Sequence, residues 1–232
     1  MLKKTLITLL VVNSFLYANG NANYEQYVIN DKFKPFFRNC DQLLDKYYYV
    51  NCYNYKLKSS IAVAYKLKKE NLETHIKKRP KFEEDFELPK KHRTRWSDYL
   101  HSGYDRGHIL SNQSMNATKG AQRSTFLMSN ITPQVPEINR KVFLKAEKFE
   151  RLLAINNNEV EVLNLIKFND FYKTISKTKI AVPQAYIKIL ITNNDKYCFY
   201  IPNNQKFEDY KLKDLRINCE NFFQLTKINQ KG

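Results

Sequence analysis

The 232-residue sequence lacks several features that would assign it to common protein classes. It has no internal repeat and no linker. Beyond its first 18 residues it has no apolar run near the roughly 20 residues that a membrane span needs. None of its 4 cysteines forms a C-x-x-C pair or lies close to a histidine, which argues against a zinc centre or a dithiol redox site. Acidic residues are outnumbered, with 23 Asp and Glu against 39 Lys and Arg. The resulting charge of +16 favours an anionic partner such as nucleic acid, a heparin-like polymer or an acidic membrane surface.

The first 18 residues are typical of a secretory signal peptide. Lys3 and Lys4 precede a mostly apolar stretch, and Ala18 offers a small residue for cleavage. Retention as an N-terminal anchor is the alternative, because Leu16 is larger than the residue usually found two places before the cleavage site. We therefore predict a signal peptide over residues 1–18, one domain over residues 19–232 and a periplasmic or secreted protein without stable membrane insertion after cleavage.

Cysteine usage agrees with export, because an oxidising compartment allows all four thiols to pair. Four cysteines permit three connectivities, and the sequence alone does not choose between them. Short loops favour Cys40 with Cys52 and Cys198 with Cys219. Cross-links between the N-terminal and C-terminal segments are the alternative.

Local patterns predict several strands and one long helix. Pro136 occupies a first-turn position of the helix predicted over residues 137–155. A short helix is predicted at residues 42–47 and a loop or short helix at residues 112–122. Strands are predicted at residues 48–53, 60–67, 68–76, 125–128, 185–191 and 196–201.

Residues 102–150 carry the groups that cleavage of a phosphodiester requires. His108 can accept a proton from water near neutral pH, and Arg106 can bind a phosphate through a guanidinium that stays charged. Asn139 and Glu147 offer oxygen atoms, which Mg²⁺ prefers, about 80° apart on an α-helix. The alternative is structural, with His108 paired to Asp105 and Arg106 in an ion pair.

Three segments in the right order resemble the DNA/RNA non-specific endonuclease family, which includes secreted bacterial nucleases and endonuclease G. They are the SGYDRGH of residues 102–108, the SNITPQ of residues 129–134, and Asn139-Arg140 followed by Glu147. Residues 79–82 (RPKF) and the strand of residues 181–188 are also similar to the family pattern. The resemblance covers about residues 61–202, which we take as the core of the nuclease domain.

The resemblance implies an α+β fold, with mixed α/β layers around a central antiparallel sheet and a ββα-metal finger active site. It implies that His108 is the general base and that Asn139 binds one Mg²⁺, with Mn²⁺ as an alternative. Glu147 is expected to hold waters of the metal shell. Arg106 and Arg79 are expected to contact the scissile phosphate or stabilise the transition state.

The resemblance also assigns supporting roles. Asp105 is expected to orient its neighbours, and Asn130 and Arg140 to assist in substrate binding. Arg79 has a second interpretation as a solvated cation, because it lies among several other basic residues. His75, His92 and His101 have no partner at ligand spacing and are interpreted as surface histidines.

These features together predict a secreted or periplasmic Mg²⁺-dependent endonuclease that cleaves DNA and RNA with little sequence specificity. The alternative is a catalytically inactive, basic nucleic-acid-binding protein of the envelope or extracellular matrix. A toxin-like nuclease with a dedicated immunity protein is a third hypothesis. The sequence leaves open whether any inhibitor or immunity protein exists.

Overall fold

A seven-stranded antiparallel sheet forms the centre of the computed structural model, which describes residues 24–220. In spatial order, with strands numbered along the chain, it contains β1 (Gln42–Asp45), β2 (Tyr49–Asn54), β3 (Ser59–Lys68), β6 (Glu159–Lys167), β9 (Ala185–Ile191), β10 (Lys196–Pro202) and β11 (Arg216–Ile217). The sheet extends to both sides of the core predicted over residues 61–202. The predicted α+β class with a central antiparallel sheet is confirmed.

Within residues 24–220, two small two-stranded sheets and two α-helices accompany the central sheet. The two-stranded sheets are β4 (Asp105–His108) with β5 (Ile131–Gln134), and β7 (Thr174–Ile175) with β8 (Ile180–Ala181). The helices are α1 (Lys119–Thr125) and α2 (Leu144–Asn157), the latter preceded by a π-helical segment (Ile138–Phe143). Single 3₁₀ turns are Lys34–Phe37, Lys69–Leu72, Lys90–His92, Trp96–Tyr99, Asn112–Ser114, Met128–Asn130, Gln205–Phe207 and Leu212–Leu215.

Alternating side chains give the central sheet two buried faces. The site face, which includes Tyr65, Val162 and Leu190, packs against α2 and the π segment. The opposite face, which includes Ala64 and Leu163, packs against the aromatic segment before β1. Both faces are buried, so most side chains of β3, β6 and β9 are apolar on both sides of the sheet.

The two disulfides lie at the opposite face. Cys40 pairs with Cys52 and Cys198 with Cys219, and three of these four residues belong to the apolar cluster of that face. The short-loop connectivity favoured by the sequence is therefore confirmed.

Most of the predicted elements are found. The helix predicted over residues 137–155 is present, but it begins with a π-helical segment. Its first six residues, Ile138–Phe143, are π-helical, and the α-helix proper runs from Leu144 to Asn157. A π turn changes the angle between positions before and after it. The 80° separation predicted for an uninterrupted α-helix therefore does not apply to Asn139 and Glu147.

Three predicted elements are wrong. Residues 42–47 are not helical, because Gln42–Asp45 pairs with β2 and the chain reverses at Tyr47, whose φ is 67°. Residues 68–76 do not form a strand beside β3, because β6 occupies that edge and Lys69–Leu72 forms a 3₁₀ turn. Residues 125–128 are a buried turn after α1, and the strand follows at Ile131–Gln134.

The predicted signal peptide lies outside the described residues. Within residues 24–220, no helix is long and apolar enough to cross a membrane. The boundaries of the predicted domain remain a prediction.

Candidate active site

The two-stranded sheet of β4 and β5, followed by the π segment and α2, forms a ββα unit. Asp105 is paired with Gln134 and His108 with Ile131 in this sheet. Gly107 is required by the close approach of the two strands, since a Cβ there would lie 2.2 Å from the Gln134 side chain. His108 is the last residue of β4.

Asn130 fixes the backbone immediately after His108. Its side-chain oxygen accepts from the Leu110 amide at 3.0 Å, and its nitrogen donates to the carbonyls of Leu110 and Thr125, each at 2.9 Å. The residue is 0% exposed. Its amide is buried and bonded to the backbone, so the structure gives Asn130 a supporting position, and its contact with substrate remains a prediction. Its role is to hold β4 against the end of α1.

His108 lies against two aromatic rings. Its imidazole is 4.9 Å from the ring of Phe126 and 5.5 Å from the ring of Phe82, measured between centroids. Burial, together with the nearby Arg79 cation, lowers the pKa of His108 from 6.5 to about 3. The Nε2 atom is buried and has no hydrogen-bond partner within the part of the chain that the structure describes. A neutral imidazole with a vacant nitrogen is suited to accept a proton.

The same two rings carry the predicted phosphate-binding arginines. The guanidinium of Arg79 lies 5.2 Å from the Phe126 ring centre, and that of Arg106 lies 5.2 Å from the Phe82 ring centre. Cation–π contacts of this kind orient a guanidinium without neutralising it. Each arginine therefore keeps its charge available beside His108.

Asp105 connects two of the other predicted residues, Asn139 and Arg140. Its carboxylate accepts from the Asn139 amide nitrogen at 2.9 Å and from Nε and Nη2 of Arg140 at 2.9 and 2.7 Å. The bidentate pair raises the pKa of Arg140. Arg140 is thus committed to Asp105, and its contact with substrate remains a prediction.

The Asn139 side chain could serve as a metal ligand. The side-chain nitrogen of Asn139 donates to Asp105, and Asn139 lines the cleft. The carbonyl oxygen Oδ1 is therefore the atom of this amide that could bind a ligand in the cleft. Hard cations such as Mg²⁺ take oxygen ligands and retain most of their waters, so one amide oxygen is an adequate donor. Among residues 24–220, no group of three or more His, Cys, Asp or Glu residues gathers to hold a metal ion.

Glu147 lies on α2 above a buried polar cluster. Its pKa is raised from 4.5 to about 7, because burial and the Glu150 carboxylate disfavour its charged form more than Lys188 and Arg151 favour it. Glu150 is itself fully buried with Lys188, and their oxygen and nitrogen atoms are 2.5 Å apart. A shifted pKa of this kind is typical of carboxyl groups in functional sites, which is consistent with the predicted role of Glu147 in holding water.

One open cleft of about 980 Å³ brings the predicted residues together. Its lining includes Arg79, Asp105, Arg106, His108, Asn139, Arg140 and Glu147. The structure therefore collects every predicted catalytic and metal-binding residue at one site and excludes only Asn130.

Sequence reasoning missed three contributors to this site. Phe82 and Phe126 support His108 and the arginines, and Arg151 lines the cleft while donating to Ser111 and Ser114 at 3.2 and 3.1 Å. The spacing of Arg151, four residues after Glu147, gave a signal, because such positions share a helix face. Phe126 gave none, since an apolar run does not show which ring faces a site.

The fold is similar to that of a solved nuclease complex. The structure of an EndoG/EndoGI complex, described as showing the mechanism of EndoG inhibition, matches with a TM-score of 0.74 and 21% identity, covering 87% of this chain and 91% of that one. At this identity the likeness concerns the fold.

Curated relatives are also similar in sequence. Human mitochondrial endonuclease G is 30% identical over 165 residues, which cover 65% of this chain and 54% of the human protein. The mitochondrial nuclease of Saccharomyces cerevisiae is 28% identical over 194 residues, covering 73% of this chain and 59% of that protein. Nuclease C1 of Cunninghamella echinulata is 32% identical over 138 residues, covering 53% and 55%. The chain spans about half the length of the curated relatives it matches.

A family model provides the broadest match. The model for DNA/RNA non-specific endonuclease covers residues 30–231, a range that includes the sheet, the ββα unit and the cleft. The chain belongs to the DNA/RNA non-specific endonuclease family.

Proposed function

We propose that this protein is a metal-dependent endonuclease that hydrolyses phosphodiester bonds of DNA and RNA with little sequence specificity. The observation that carries the proposal is that Nε2 of His108 has no hydrogen-bond partner within residues 24–220 and that His108 lines one cleft with Arg79, Arg106 and Asn139. Nucleic-acid binding alone would require the cations but not the other two groups.

His108 is the general base. The imidazole is neutral near pH 7, and its Nε2, which has no hydrogen-bond partner among residues 24–220, would take a proton from the attacking water. Phe82 and Phe126 hold the ring, and Asn130 holds the strand end that carries it. The histidine is therefore oriented before substrate arrives.

Asn139 would hold the metal ion through Oδ1, and Glu147 would contact it through water. A bound Mg²⁺ ion, or alternatively Mn²⁺, would offset negative charge on the phosphate and on the departing alkoxide. Asp105 orients the amide of Asn139, so that its oxygen rather than its nitrogen is offered.

Arg79 and Arg106 would bind the scissile phosphate. An arginine side chain remains protonated and can donate two parallel hydrogen bonds to phosphate oxygens. The Nε atom of Arg106 is buried and has no partner within the described structure, so a phosphate oxygen would satisfy it. Contacts to phosphate carry no sequence information, which supports action on both DNA and RNA.

The proposed compartment is the periplasm or the extracellular medium. The signal-peptide pattern of residues 1–18 supports it, as do the two disulfides, since such bonds persist in oxidising compartments. The strongly basic composition supports a polyanionic substrate there.

The test is a paired assay of cleavage and binding. Wild type, His108→Ala and the control His92→Ala would be incubated with plasmid DNA and with total RNA, in Mg²⁺ or in EDTA. His92 is a suitable control because its ring stacks on Tyr55 away from the cleft. We expect wild type and His92→Ala to cut both substrates only with metal, and His108→Ala to bind normally but cut about 10²- to 10⁴-fold more slowly.

The other outcomes separate the alternatives. Wild-type binding without cleavage in any divalent metal would favour the inactive binding protein. Undiminished cleavage by His108→Ala would retain the activity but remove His108 as the base.

A further inference from the structure

The cleft continues along α2 beyond the groups assigned to catalysis. Leu144, Glu147, Arg151 and Ile155 all line it, and their spacing of three or four residues places them on one face of the helix. Eight residues separate Glu147 from Ile155, which corresponds to about 12 Å along the helix axis. The groove is therefore longer than the binding of one phosphate requires.

The wall opposite the end of α2 has a different chemistry. It is formed by the segment around residues 72–76, and Leu72, His75 and Ile76 line the cleft there. The segment is tied to the end of the helix, because the Lys69 amide donates to the Asn158 carbonyl at 2.7 Å. Aliphatic side chains and an imidazole suit the flat face of a base better than a phosphate.

His75 is held in place although it is exposed. Its Nδ1 lies 2.8 Å from Oδ1 of Asn116, and the neighbouring Ile76 amide donates to the Asn116 carbonyl at 2.9 Å. The Gln122 side chain donates to the Ile76 carbonyl at 3.0 Å. Asn116 and Gln122 are both buried, so the histidine ring projects from a fixed support.

We propose that His75, Ile76 and Ile155 form a subsite for an unpaired nucleobase of the strand whose phosphate is cut at His108. This inference rests on the proposed nuclease function. Ile155 is 45% exposed and provides one apolar wall, while the His75 ring provides a surface on which a base can stack. A paired base is enclosed within its duplex, so the subsite favours single-stranded DNA or RNA.

The position of the subsite sets its distance from the cut. At roughly 3.4 Å per stacked nucleotide, the 12 Å offset places the bound base within about four nucleotides of the scissile phosphate. A single-stranded oligonucleotide lacking one base should therefore be cut less often at bonds within about four nucleotides of the gap.

The experiment moves one abasic residue along a labelled single-stranded oligonucleotide and maps the cleaved bonds. Wild type, His75→Ala, His75→Tyr and the control His92→Ala would be compared in Mg²⁺. We expect the abasic gap to suppress nearby cleavage by wild type, His75→Tyr and His92→Ala, and to have no local effect on His75→Ala. On intact single strands His75→Ala should lose about 5- to 50-fold in kcat/KM, mostly through KM, and should lose less on duplex DNA.

A substrate without bases separates binding from structure. Bis(p-nitrophenyl) phosphate has a diester but no base, so wild type and His75→Ala should hydrolyse it equally. Equal losses on this compound and on oligonucleotides, or an abasic effect that persists in His75→Ala, would overturn the subsite while leaving the nuclease function intact. If wild type hydrolyses neither substrate in any metal, the nuclease function fails instead.

Discussion

The two faces of the central sheet are made by the same strands but differ in chemistry. On the site face, Tyr65, Asn164 and Lys188 stand among apolar neighbours, and Asn164 is directly opposite Lys188 in the ladder. On the opposite face, Leu163 and Ile189 belong to an apolar cluster. Because side chains alternate along a strand, one sheet can stabilise the fold on one side and support chemistry on the other.

The polar groups of the site face meet beneath the active-site helix. Glu150 of α2 accepts from Lys188, from Tyr65 at 3.0 Å and from Ser114 at 2.8 Å. Glu150 lies three residues from Glu147, whose pKa it helps to raise. A buried ion pair is often no more stabilising than apolar residues of similar volume, so the cluster is better explained by the position and electrostatics of α2 than by stability.

The largest expected effect on stability comes from removing one charge of the buried Glu150–Lys188 pair. Glu150→Leu should leave the Lys188 ammonium buried without its counter-charge. We expect a loss of about 3–5 kcal/mol in the free energy of unfolding, measured by urea denaturation. The double variant Glu150→Leu with Lys188→Met removes both charges and should recover most of the stability while cleaving DNA more slowly. Full activity in the double variant would show that the site face needs no polar cluster.

The matching change on the opposite face should affect stability alone. Leu163→Ala removes a fully buried side chain and should cost about 2–5 kcal/mol. The kcat per folded molecule should match that of wild type in an assay well below the melting temperature. A large fall in kcat would mean that the two faces are not separable.

Removal of a disulfide on the opposite face should have a similar or smaller effect. The double variant Cys198→Ser with Cys219→Ser removes a cross-link between residues 21 positions apart in sequence. From the entropy of loop closure, we expect the free energy of unfolding to fall by about 3 kcal/mol. Thermal unfolding of this double variant should shift downward, with an unchanged ratio of activity on DNA and RNA. A changed ratio would connect that disulfide to the cleft.

The smallest expected effect concerns the pH dependence of stability without metal, because two site residues act in opposite directions. The folded pKa of His108 is lowered from 6.5 to about 3, so its contribution to stability increases as pH rises through that window. The folded pKa of Glu147 is raised from 4.5 to about 7, so its contribution falls as pH rises between those values. In wild type the two should largely cancel between pH 4.5 and 6.5.

Substitution removes that compensation. Glu147→Gln should gain stability relative to wild type as pH rises from about 4.5 to 7, and the difference should then stay constant. Urea unfolding at several pH values in EDTA measures this difference. A constant difference between the two proteins across the range would mean that Glu147 titrates normally in the fold.

The sequence predicted the parts of this molecule that depend on local patterns. The alternation of β3, the buried-strand pattern of β9, the similar pattern of β10 and the proline before the long helix were sufficient for those elements. The hairpin strand β1 was missed because its pairing with β2, rather than its own residues, makes it extended. A strand that is extended because of its pairing partner is only weakly predicted by its own sequence.

The same limit applies to the site. His108 and Arg106 could be identified from the sequence because the residues that make up their motif, 102–108, are consecutive in the chain. Asn130 was expected to face substrate, but an amide that bonds backbone groups on two sides is recognised only from its three-dimensional surroundings. Lys188 within an apolar strand implies a buried partner, yet its partner Glu150 is 38 residues away and on another element.

The most direct test of the proposed chemistry is chemical rescue of His108→Ala by imidazole. The variant leaves a space beside Phe82 and Phe126 where the ring lay. If His108 is the general base, added imidazole should raise the cleavage rate of the variant in proportion to the neutral form, with no effect on wild type or on Asn139→Ala. A variant that cuts as fast as wild type, or that remains slow at every imidazole concentration while binding DNA normally, would contradict the assignment of His108 as the base.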